Sequence, residues 1–230
     1  MVDKASRVTL ATAVYEAIRA DIIEGRFEPD EKLQFDALRE RYNVGISPIR
    51  EALSRLHSDG WVAREERRGY RVAAVSRDDL MQLVRTRIIL EGAAIREALA
   101  HPDSAVEEAL ILAFHRLGKE PRYLPGEGIR RNPAWMQRHR AFHLALVAGS
   151  KLKWLSQYCE QMFDAAERYR LLAADSNPER REKDEHRAMV EAYLAGDPDT
   201  VIDLLARHYQ GTVDIILQSH FRSAVTAAAS

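Results

Sequence analysis

One cysteine, Cys159, among 230 residues excludes an intramolecular disulfide. No stretch approaches the roughly 18 to 20 uninterrupted apolar residues of a membrane-spanning helix. Residues 1–10 carry charges with no long apolar run behind them, so no secretory leader is read there and a cytoplasmic location away from any membrane is expected. Charge of one sign is also lacking: 34 basic and 35 acidic residues leave a net −1, so a nucleic-acid surface, if present, has to be local. There is no internal repeat and no low-complexity segment, and only the tail 223–230 reads as poorly anchored.

What is present is an ordinary globular composition, 46% apolar and 30% charged, with length for two modest domains. The positive charge gathers between residues 37 and 75, where eight arginines face five acids. Within that stretch, Ile49, Ala52, Leu53 and Leu56 fall on one face of a helix, and Ser47, Arg50, Ser54 and Ser58 on another. Ser47 suits the N-cap, Pro48 the first helical position and Gly60 the left-handed C-terminus. Two strand-like runs follow, 61–65 and 70–74, around a turn whose Gly69 can take positive φ. Arg67, Arg68 and Arg71 then sit at the tip and flank of a β-wing. Upstream, residues 36–41 read as a short helix closed by Asn43, which tolerates the left-handed corner of a helix-turn-helix. A first helix is expected over 8–24, with Ala11, Val14, Ile18 and Ile22 at helical spacing, and a short extended piece at 32–33. Pattern alone fits either an amphipathic helix packed on a hairpin or a DNA-reading unit.

The residue detail resembles the winged helix of the GntR superfamily of bacterial transcription regulators. The matching parts are Ile22-Ile23-Glu24-Gly25, Pro29 to Leu33, Pro48-Ile49-Arg50-Glu51-Ala52-Leu53, and Leu56, Gly60 and Gly69. The resemblance implies DNA contacts from Ser47, Arg50, Ser54, Arg67, Arg68 and Gly69. Where the family often has Ser-Arg before the recognition helix, this chain has Gly45-Ile46, so the family's operator sequence does not carry over.

After residue 75 the period-two alternation disappears and helical spacing takes over, giving a mainly α chain. A winged helix-turn-helix over 1–75 is expected to be followed by an all-α antiparallel bundle over 76–230. Helices are expected at 77–100, 104–117, 133–148, 151–174, 178–195 and 198–219, with an irregular loop at 118–132. Seven of the eight histidines lie in this second part. His139 and His143, four apart, place two imidazoles on one helix face within reach of one ion, and neutral imidazole suits Zn²⁺ or Ni²⁺. The same spacing also occurs among surface or packing histidines.

The second part resembles the FCD ligand-binding domain of the superfamily's FadR branch, through Phe142-His143 with Leu146 and through Glu185-His186 with Ala192 and Gly196-Asp197. The resemblance implies a divalent metal held by His143, His186 and His208. His139 stands where the family has an aspartate: either it supplies a fourth imidazole or the set stops at three. Losing the anionic ligand leaves the ion its full charge and tilts preference toward Zn²⁺ or Ni²⁺. Arg87 and Glu91 match the family's R-x-x-[IL]-E element. They are either a helix-surface ion pair worth about 0.3–0.5 kcal/mol or an arginine facing an effector carboxylate. Arg168-Tyr169-Arg170 reads as a solvated helix end, with lining of the pocket as the alternative, and His101, His115 and His220 read as surface or helix-end residues.

Three functions fit these features. The first is a homodimeric, ligand-responsive regulator that reads a palindromic double-stranded operator and binds a small carboxylate metabolite at a metal. The others are a metal-dependent enzyme with an appended DNA-binding domain, with Glu185 as a conceivable base, and a dedicated metal sensor. The enzyme is disfavoured because Glu185 and His186, adjacent on a helix, point about 100° apart.

Overall fold

The computed structural model describes residues 9–23, 25–65, 68–126, 131–172 and 182–219. The chain divides into two compact units, the first ending at Ser76 and the second beginning at Arg77.

The first unit contains α1 (Leu10–Ile23), β1 (Lys32–Leu33), α2 (Phe35–Tyr42), α3 (Ile46–Ser58), β2 (Val62–Glu65) and β3 (Gly69–Val72). The apolar stripe of α3 is fully removed from water, with Ile49, Ala52, Leu53 and Leu56 all at 0% exposure, and it packs on Val14, Ile18 and Ile22 of α1. Asn43 takes the left-handed conformation, φ 50° and ψ 49°. Its amide bonds to the Glu40 carbonyl and that of Val44 to Arg39, so two orphan carbonyls of α2 are satisfied as the chain turns into α3. Gly60, φ 76°, closes α3 in the same way. The wing strands β2 and β3 pair antiparallel with Ala63 opposite Arg71, and β1 adds to the outer side of β3. Arg71 is structural, donating to Glu65 and to the Asp30 carbonyl.

One boundary differs from expectation. The N-cap of α3 is Gly45, in extended conformation, and not Ser47. The helix therefore starts at Ile46 and Pro48 occupies its third position, which costs nothing because first-turn amides have no intrahelical acceptor.

The second unit is all-helical: α4 (Arg77–Ala100), α5 (Ser104–Lys119), α6 (Pro133–Val147), α7 (Lys153–Leu172), α8 (Glu182–Leu194) and α9 (Pro198–Ser219). Helix α4 packs on α7 and α9, while α5 packs on α6 and α8. Caps explain two starts: Asp103 accepts from the Ala105 amide, and Asn132 accepts from the Ala134 amide with Pro133 following it. The irregular loop begins two residues later than expected, after Lys119, and a bridge between Tyr123 and Arg131 ties its ends. The start expected for the helix over 178–195 lies outside the described residues, as do Arg67 and His220. Among the described residues no helix is long and apolar enough to cross a membrane.

The expectation of a solvated helix end at 168–170 fails: Tyr169 is 0% exposed and Arg170 9%. Tyr169 gives its hydroxyl proton to Asp79 of α4, and Arg170 holds Glu167 through two parallel bonds of 2.8 and 2.7 Å. The charged groups could enter the bundle only because each brings its counter-charge with it.

Candidate functional site

Four imidazoles from three helices meet inside the second unit. His139 and His143 come from α6, His186 from α8 and His208 from α9. All four are buried, and one nitrogen from each lies within 4.8 Å of the others. The Nε2 atoms of His139 and His143 are 3.1 Å apart.

Hydrogen bonding fixes which nitrogens carry lone pairs. His208 Nδ1 lies 2.6 Å from Glu185 Oε2. A carboxylate only accepts, so Nδ1 holds the proton and Nε2 is left as a ligand atom. His143 Nδ1 lies 3.4 Å from the Tyr209 hydroxyl, whose single proton goes to Glu91 Oε2 at 2.6 Å. The tyrosine therefore accepts from His143 and turns its Nε2 toward the cluster as well. Burial, then Arg170 and the neighbouring imidazoles, keep the His139 pKa well below its usual value; burial, then His208 and His186, do the same for His143. Both are neutral at pH 7 and able to ligate.

The set suits a divalent metal. Zn–N bonds of about 2.0–2.1 Å place neighbouring ligand nitrogens about 3 Å apart, the spacing His139 and His143 already have. Backing a ligating histidine with a carboxylate, as Glu185 backs His208, is the usual outer support of such a ligand. Buried imidazoles in an otherwise apolar bundle are costly without partners, and His139 Nδ1 has no hydrogen-bond acceptor or donor among the described residues.

A cavity of about 30 Å³, room for roughly two waters, adjoins the cluster and is lined by Arg87, His139, His143, Arg170, His208 and Tyr209 among others. Arg87 is 5% exposed. Its Nε donates to Glu91 at 2.8 Å and its Nη2 to Tyr209 at 2.6 Å, with the guanidinium over the Tyr209 ring. The surface value for such a pair therefore does not apply, because stranding either charge in this interior costs about 3–5 kcal/mol. Burial works against the charged Arg87, but Glu91, with Tyr209 and Glu167, outweighs it and raises the pKa. The ion pair with Glu91 is present but buried and not on the helix surface, and Arg87 also lines the cavity. Glu185, the conceivable base of the enzymatic alternative, instead orients His208.

In the first unit, Ser47, Arg50 and Ser54 are exposed on α3, opposite its buried stripe. The Arg50 guanidinium rests over the Phe35 ring, 5.2 Å from its centroid, which aims the side chain without removing its donors. Arg68 is exposed beside the wing turn and Gly69 has φ 96°. Arg64, also exposed on β2, adds to this surface and was counted in the local charge without being singled out. Tyr209 carries no signal in the sequence, Glu185 is read there only as a conceivable base, and Arg170 lines the cavity as the alternative reading of its cluster has it. Each acts across helices, where sequence spacing carries no signal.

A winged helix with a small, cationic outer face, joined to a helical domain of convergent buried histidines, defines a DNA-binding regulator. Residues 10–72 match the family described as bacterial regulatory proteins, gntR family, and residues 82–211 match the FCD domain. The chain belongs to the GntR family of transcription regulators, in its FCD-containing form. It is 33% identical over 216 residues to BphR of Paraburkholderia xenovorans, an HTH-type transcriptional regulator, covering 91% of this chain and 86% of that one. It is also 33% identical over 212 residues to the HTH-type transcriptional repressor GlaR of Escherichia coli, covering 89% and 94%. Among solved structures, E. coli McbR/YncC shares the fold, with a TM-score of 0.72 at 22% identity over 92% of this chain and 99% of that one. BphR and GlaR are both transcription regulators and not enzymes.

Proposed function

We propose that this DNA-binding regulator is ligand-responsive: residues 1–75 read a palindromic operator as a cytoplasmic homodimer, and residues 76–230 bind a small carboxylate effector at a divalent metal. His139, His143, His186 and His208 hold the ion, zinc or nickel by their all-nitrogen chemistry. Arg87 gives the effector a second charge contact. Ser47, Arg50, Ser54, Arg67, Arg68 and Gly69 face the DNA.

The observation that supports this most is the convergence of four buried imidazoles from three helices, three of which, His139, His143 and His208, line a cavity that Arg87 also lines. The ion supplies an electrophilic anchor for a carboxylate. With three imidazoles a tetrahedral ion keeps one position for it, and with four a six-coordinate ion keeps two. A homodimer supplies two α3 helices, which doubles the contacts of a recognition element too small to select a site alone.

Nuclease footprinting of full-length, zinc-loaded protein on DNA flanking its own coding region, alongside light scattering, tests the DNA half of this reading. Protection of an inverted repeat by a species of twice the chain mass is expected. A monomer that protects a single, non-repeated segment with equal affinity contradicts it.

A further inference from the structure

The histidine cluster and Arg87 account for one acidic group of an effector, but the cavity has a second cationic wall. Arg170 lines the cavity beside His139 and His143. Its Nε and Nη2 are taken by Glu167, while its buried Nη1 meets no acceptor among the described residues. Behind it, Arg131 donates through Nη2 to the Arg170 carbonyl, and its buried Nε also meets no acceptor among the described residues. The guanidiniums of Arg170 and Arg122 lie 5.2 and 5.5 Å from the centre of the Trp135 ring, which stacks at 4.7 Å on His139. Arg122 is matched by Glu182 at 3.2 Å. Three arginines thus crowd one side of the histidine cluster with, among the described residues, Glu167 and Glu182 against them. Burial, then the charge of Arg170, push the Arg131 pKa down to about 10.

Buried guanidinium donors without acceptors, next to a cavity and with excess positive charge, are a site waiting for an anion. We propose that Arg170, supported by Arg131, is a second anion subsite, so that the effector is a short organic acid with two acidic groups. One group binds at the histidine-held ion and Arg87, and the other at the free edge of the Arg170 fork. Arg170 and three of the histidines line the same cavity, so the two acidic groups lie close together, as in a three-carbon diacid. This rests on the metal-bound effector reading above.

The test compares acetate with malonate on full-length protein of measured zinc content, by titration calorimetry. A charge-assisted contact made only by the second carboxylate predicts that malonate binds about tenfold to a hundredfold tighter than acetate. The double variant Arg170→Met/Glu167→Gln removes the subsite without stranding a carboxylate. It is expected to keep its zinc and its acetate affinity and to lose the malonate preference. Arg170→Lys retains the charge without the planar fork and is expected to keep only part of that preference, which gives a second reading should the double variant not fold. Equal affinities for both acids in wild type, or an undiminished preference in the variants, overturn the subsite and leave the metal-bound effector standing. Failure of zinc-loaded wild type to bind either acid overturns both.

Discussion

Alanine at Arg50 and at Arg68 is expected to weaken operator binding in two distinguishable ways. Arg50 projects from the exposed face of α3 beside Ser47, Ser54 and Ser58, side chains short enough to let the helix lie close to base edges. Losing a guanidinium that reads a base costs about 1–3 kcal/mol, roughly fivefold to a hundredfold and more, and relaxes specificity at that base pair. Arg68 lies by the wing turn, where a phosphate contact is the natural role. Its removal should lower the slope of log affinity against log salt by about one unit with little effect on sequence preference. Gel-shift titrations at several salt concentrations measure both. Unchanged affinity and slope in both variants would remove this surface from the DNA interface.

The second large effect concerns the metal. His143→Ala is expected to take zinc content from about one ion per chain to near none, because a three-helix site that loses a central ligand no longer closes around the ion. His208→Ala should do the same. Glu185→Gln retains the ligands and disturbs only the partner of His208, so it is expected to weaken zinc by about tenfold to a hundredfold. Elemental analysis of gently purified, reconstituted protein reads all three. Full occupancy in the two alanine variants would make these histidines packing residues. Retention in His139→Ala alone would reduce the site to three imidazoles and give the fourth position to solvent or effector.

Local chemistry made much of this legible in the sequence. The buried stripe of α3, the left-handed Asn43 and Gly60, and the bounds of α4 and α9 follow from helical periodicity and cap residues acting within a few positions of one another. What was not legible depends on partners far apart in the chain. Ser47 is a better N-cap by preference than Gly45, but α3 begins two residues earlier because the corner at Asn43 delivers the chain there already extended. Arg168-Tyr169-Arg170 reads as solvated since nothing nearby in sequence announces that Asp79 will meet Tyr169. Arg87 and Glu91 are visible as a pair, yet their burial is decided by Tyr209, more than a hundred residues away, which bridges them. The histidines were found by motif. Glu185 as their support was hidden, because its partner is His208 on another helix and not its neighbour His186.

In the function proposed above, acid binding at the histidine cluster controls DNA binding. Fluorescence anisotropy of the footprinted operator duplex, titrated with zinc-loaded or chelator-stripped full-length protein across a panel of short mono- and dicarboxylic acids, tests it most directly. The account predicts that at least one acid shifts the operator Kd of the zinc-loaded protein by about fivefold or more and that stripping the metal abolishes the shift. The same shift before and after stripping, or no response to any acid in the zinc-loaded protein, would contradict it.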